Sequence, residues 1–157
     1  MQKIKDIDKL LNSSNIRESI IDVDDFVWKF CEYGKNFDAL TEPQRNLHFN
    51  RWFEGEINNG GFWQFFFNSS GNVAHQIVDS LRAIGANATA DMLQKAIDQF
   101  PNKTVPNTYE ERMAIFEQID DTGYEIWKEL NQQFYNNPPD DLDALNFEYI
   151  KQNKEEF

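Results

Sequence analysis

The apolar positions of this chain recur mostly three and four residues apart, the spacing that lays helices on a shared core. From Asp22, the residues Val23, Phe26, Val27, Phe30 and Phe37 form the first such stripe. The residues before it are polar and weakly patterned. Residues 1–21 therefore read as an N-terminal arm or short helix ahead of a domain spanning 22–157. A second helix opens at Thr41, because Thr41 and Gln44 have the spacing of a capping box and Pro43 suits a first turn. It extends to about Ile57, with Phe49, Trp52, Phe53 and Ile57 on one face. A third runs from about Val73 to Ile84, with Ile77, Leu81 and Ile84 inward and Gly85 as its stop. Asn87 caps a fourth, which buries Leu93, Ala96, Ile97 and Phe100. The pair Thr108 and Glu111 starts a fifth with Met113, Phe116 and Ile119 inward. A bend at residues 120–123 precedes a stripe of Tyr124, Trp127, Leu130 and Phe134. A last helix begins near Asp140 and carries Leu142, Leu145, Tyr149 and Ile150. With no strand pattern, the predicted fold is all-α, a single compact domain of about seven helices.

One stretch breaks this rhythm: "EINNGGFWQFFFNSS", residues 56–70. Asn59, Gly60 and Gly61 adopt positive φ cheaply, which predicts that they end the second helix and reverse the chain. Phe62 to Phe67 is apolar nearly all round and is expected to be buried. Glu56 shares a helix face with Phe49, Trp52 and Phe53, so its carboxylate is expected to be mostly buried. A buried carboxylate needs donors, and the amides of Gly60, Gly61 and Phe62, with the side chain of Gln64, are nearest in sequence. Glu56, Asn58, Asn59 and Gln64 then tie the turn to the aromatic core. A catalytic Glu56 working with the Asn pair is a remote alternative, since a lone carboxylate without a second acid, a histidine or a metal gives little machinery.

Composition narrows the partners. The formal net charge is -12, with 27 acidic and 15 basic residues. Residues 106–157 alone hold 13 acids against 4 bases, most of that excess. Such a chain is repelled by nucleic acid and by anionic membranes, so direct binding to either is not expected, and its charged partners should be basic proteins. Cys31 is the only cysteine, which excludes an internal disulfide; it reads as a packed thiol. His48 and His75 are too few and too far apart in sequence for a common metal site and read as surface or packing residues. Asp140, Asp141 and Asp143 resemble the start of a calcium loop but lack its glycine and closing glutamate, Lys151 standing in the twelfth position. They read as an acidic helix N-terminus. No cofactor, metal or catalytic residue is expected. Without an apolar run of signal-peptide or membrane-span length, the chain is expected to be cytoplasmic.

The hallmark Glu56, Asn59-Gly60-Gly61-Phe62, Gln64, Phe66 and Asn68 resembles that of a bacterial family named for its DNA-mimic member. The run 81–100, with Ile84-Gly85-Ala86 in its turn, and the ending with Tyr149-Ile150 and Phe157 fit as well, so that the likeness spans roughly 22–157. The resemblance implies an all-α fold and a non-enzymatic role: an acidic dimer occupying the DNA-binding face of a transcription factor. The hallmark residues, with Asn58, read as structural rather than as the mimicking surface. That surface is expected instead from Glu117, Asp120, Asp121, Glu125, Glu129, Asp140, Asp141 and Asp143, whose helical spacing could echo a row of phosphates. The same electrostatics would serve an immunity protein that neutralises a basic toxin such as a nuclease.

Overall fold

The computed structural model describes residues 3–157. Its elements are helices: α1 (Ile7–Leu11), α2 (Ile16–Phe30), α3 (Glu42–Phe67), α4 (Ala74–Ala83), α5 (Asn87–Ile97), α6 (Tyr109–Phe116), α7 (Asp121–Asn136) and α8 (Leu142–Gln152). No strand occurs among the described residues. The all-α expectation holds. Helix α3 is the axis of the molecule, touching α2, α4, α7 and α8.

Helix α2 begins six residues before the expected Asp22, at Ile16. The Asn15 side chain accepts the Glu18 amide there, and the apolar stripe continues backward through the fully buried Ile20. The expected boundary after residue 21 thus falls inside a continuous helix. Ile20, Val23, Val27 and the Cys31 thiol pack with Leu47, Ile150 and the terminal Phe157 in one of two cores. Burial pushes the Cys31 pKa up, so the thiol stays protonated. The other core is aromatic, with Phe53, Phe62, Phe65, Phe66, Phe100, Trp127 and Phe134 in edge-to-face or tilted contact.

The capping box at the head of α3 forms as its spacing predicts. Gln44 Oε1 accepts the Thr41 amide at 3.1 Å, and Thr41 Oγ1 accepts the Gln44 amide. The buried Gln44 also donates to the Glu156 carbonyl at 2.6 Å, which fastens the C-terminal turn to the head of the central helix. The tail of α3 departs from expectation. The helix does not stop at Ile57; Asn58, Asn59 and Gly60 remain helical, and only Gly61 leaves the helical region, at φ 71° and ψ -168°. That one residue folds the helix on itself. Twelve residues of straight helix would separate Phe53 from Phe65 by about 18 Å, yet their ring centroids are 5.5 Å apart.

Two further readings are corrected. Within 62–67, Phe62, Phe65 and Phe66 are fully buried, but Trp63 is 46% exposed and stacks on Phe67 at the surface. Asn87 does not cap α5, since it is already the first residue inside it. The cap comes from the other end of the chain: the Asp140 carboxylate accepts both the Thr89 amide, at 2.7 Å, and the Thr89 hydroxyl, at 2.8 Å.

Candidate functional site

The fold in α3 brings the hallmark residues together. Glu56 lies on the limb before Gly61, and Gln64 and Asn68 follow it. Glu56 Oε2 accepts from Gln64 Nε2 at 2.8 Å and from Asn68 Nδ2 at 3.0 Å. One carboxylate oxygen therefore clamps both limbs. Glu56 is half-buried, not mostly buried, and its donors are side-chain amides rather than the backbone amides of the turn. Those backbone groups find partners on α7: Asn131 Oδ1 accepts the Phe62 amide at 2.9 Å, and the Tyr135 hydroxyl donates to the Ile57 carbonyl at 2.6 Å. Neither α7 residue was foreseen, because both border its apolar stripe and hydropathy alone does not mark them as partners of α3.

The two glycines are required for different reasons. A Cβ on Gly61 would lie 2.6 Å from Asn131 Cγ, and the residue's own backbone angles belong to a region that side chains rarely enter. A Cβ on the helical Gly60 would lie 2.7 Å from Gln64 Cβ, against the clamp itself. Asn58 and Asn59 are exposed.

Beside the clamp lies a cleft of about 540 Å³ between α2 and the first limb of α3. Glu56, Asn59, Gln64 and Asn68 form one side of it. Asp24, Asp25 and Trp28 from α2, with His48, Arg51, Trp52 and Gly55 from α3, form the rest. His48 is 5% exposed, its Nδ1 sits 2.8 Å from Asp24 Oδ1, and its ring stacks on Trp28 at 5.0 Å. His48 is thus a packing residue with a polar edge. His75 instead lies exposed at the surface, its Nε2 accepting the Val105 amide at 3.1 Å.

The turn that leaves the hinge is held by a residue the hydropathy pattern hides. Arg112 is fully buried. It donates to the carbonyls of Phe66 (2.7 Å), Pro106 (2.9 Å) and Asn68 (3.0 Å) and to Asn72 Oδ1 (2.7 Å). Burial lowers the guanidinium's pKa from its ordinary value, and no carboxylate among the described residues is bonded to it to offset the desolvation.

The eight acids expected on one surface divide by role. Asp140 caps α5, as above, and Asp143 is half-buried, 3.1 Å from Arg17 and 3.7 Å from Arg51. Asp120 and Asp141 cap α7 and α8 by accepting the amides of Gly123 and Ala144. Glu125 pairs with Lys128 at 3.3 Å. Glu117, Asp121 and Glu129 are exposed and have no ion pair or side-chain hydrogen bond among the described residues.

An all-helical chain with a glycine-folded central helix and a Glu-Gln-Asn clamp across the fold is the class these features define. A family model described as DMP19-like protein matches residues 38–153. The chain belongs to that family, whose name is that of a DNA mimic protein. The matched segment is shorter than the 22–157 over which the likeness was expected; it contains the clamp but not Asp24, Asp25 and Trp28 of the cleft. No curated protein and no solved structure matches the chain.

Proposed function

We propose that this chain is a non-enzymatic DNA mimic: an acidic protein that offers carboxylates in place of phosphates to a basic, DNA-binding protein. Membership of the DMP19-like family carries the reading. The charge distribution supports it. Asp121, Glu125 and Glu129 recur every four residues on the exposed side of α7, about 6 Å of helix rise apart. One strand of duplex DNA places a charge about every 3.4 Å of axis. A single helical row is therefore too sparse, and Glu117 and Asp120, at the junction of α6 and α7, supply the extra density. The burial of Arg112 favours the same surface, since it removes one of four cations in residues 106–157 and leaves Lys128 as the cation of α7. Asp140 and Asp143 are committed to the fold and contribute to the field rather than to contacts.

The test is competition. The partner is captured from the source cell, identified, and titrated with wild type and with a variant carrying Lys at Glu117, Asp121, Glu125 and Glu129. Mimicry requires a DNA-binding protein whose duplex DNA displaces this chain, and an affinity that falls with salt and with charge reversal. A captured toxin that duplex DNA does not displace assigns the chain to immunity instead. Affinity indifferent to salt and to charge reversal rejects the acidic surface altogether.

A further inference from the structure

We propose that the cleft beside the Glu-Gln-Asn clamp binds a guanidinium cation. None of the eight acids discussed above lines this cleft, so the inference stands independently of the mimicry.

Its wall carries three carboxylates, those of Asp24, Asp25 and Glu56. Glu56 uses Oε2 for both Gln64 and Asn68, and Oε1 has no partner among the described residues. His48 carries a second unpartnered atom. An ionised Asp24 can only accept, so Nδ1 of His48 is the donor in their 2.8 Å contact, and in the neutral ring Nε2 keeps its lone pair. That Nε2 is buried and unpartnered, the kind of polar atom that folded proteins rarely leave unsatisfied. Asp25 is exposed at the rim and makes no hydrogen bond or ion pair among the described residues. Charge points the same way. The lining sets Asp24, Asp25 and Glu56 against one cation, Arg51, whose Nη1 is held by Glu54.

The aromatic groups narrow the cation further. The His48 ring lies 5.0 Å from Trp28 and 5.9 Å from Trp52, and both indoles border the cleft. A flat, delocalised guanidinium stacks on an indole face while its N–H fork reaches several acceptors at once; a compact ammonium does this poorly. A metal ion fits worse, since no three His, Cys, Asp or Glu among the described residues are placed to hold one. The cation's source is either an arginine side chain of a bound protein or a free small guanidinium compound.

The experiment uses the full chain and three probes: N-acetyl-L-arginine amide, methylguanidinium, and N-acetyl-L-citrulline amide, in which a neutral urea replaces the guanidinium. Binding is followed by calorimetry and by tryptophan fluorescence. The guanidinium probes should bind and the citrulline derivative should not. Glu56→Gln is the informative variant. Its carbonyl oxygen can still accept from Gln64 and Asn68, while its amide nitrogen replaces the free Oε1 by a donor. Affinity should fall by about tenfold or more with an unchanged melting temperature. Asp25→Asn, which disturbs no contact of the fold, should weaken binding several-fold and covers the case in which Glu56→Gln destabilises. Tighter binding of the blocked arginine than of methylguanidinium assigns the site to a protein side chain; equal binding assigns it to a free compound. Absence of binding by both cations, equal binding of the citrulline derivative, or full affinity in both variants overturns the proposal.

Discussion

Three glycines of α3 lie within seven residues, and the structure assigns each a different response to the same added methyl group. Gly61→Ala is the severe case. Its φ of 71° with ψ of -168° lies in a region that only glycine enters readily, which costs about 1–3 kcal/mol for any side chain. The new Cβ would also approach Asn131 Cγ to 2.6 Å, so Asn131 must move. Its Oδ1 then releases the Phe62 amide at the edge of the core, a further loss of about 1–3 kcal/mol. The sum, roughly 2–6 kcal/mol, is a large share of the 5–15 kcal/mol typical of a domain. Gly60→Ala has helical geometry and meets only Gln64, so it should cost about 1–2 kcal/mol through the clamp. Gly55 has nothing within 4 Å of the added atom, and Gly55→Ala should stabilise by up to about 1 kcal/mol. Urea denaturation followed by circular dichroism measures all three. Asn131→Gly in the Gly61→Ala background separates the two contributions: it relieves the collision but not the backbone strain. A loss below about 1 kcal/mol for Gly61→Ala, or full rescue by Asn131→Gly, would refute the view that the fold in α3 rests on a glycine-only conformation.

Three other perturbations are quantifiable. Arg112→Met removes the buried donor to four acceptors and should destabilise by about 3 kcal/mol or more, with Arg112→Lys recovering little because an ammonium cannot reproduce the fork; chemical denaturation checks both. Asp140→Ala should cost about 1–2 kcal/mol by uncapping α5, although the residue lies 51 positions away in the chain, and hydrogen exchange at the Thr89 amide reads it locally. Burial raises the Glu54 pKa above 4.5, with Asp143 adding to the rise and Arg51 and Arg17 opposing it. The native state then holds this proton more tightly than the unfolded chain, so wild type should lose stability relative to Glu54→Gln as pH rises from 4.5 through the folded-state pKa. A wild-type-minus-variant difference that is flat across that range, in urea midpoints measured at several pH values, contradicts the assignment.

How much was legible beforehand follows from the range of each interaction. Helical periodicity and caps act over three or four residues, so the all-α class, the capping box at Thr41, the stop at Gly85 and a positive φ within the glycine pair could all be read locally. The family hallmark was legible too, and so was the chance that Glu56 and Gln64 act together, because the clamp closes over a short stretch of chain. What local patterns could not reveal depends on partners far along the chain. Asn58 to Gly60 stay helical in a chain whose fold is held by α7, through Asn131 on Phe62 and Tyr135 on Ile57, 69 and 78 residues away. Asp140 looked like a member of an acidic surface until folding placed it over Thr89. Arg112 looked like a surface cation until four oxygens gathered around it, the farthest of them 46 residues away. The cleft was hidden for the same reason. Trp28 and Asp24 meet His48 only because α2 packs against α3, and two polar residues brought together by packing leave no periodic trace in the order of the amino acids.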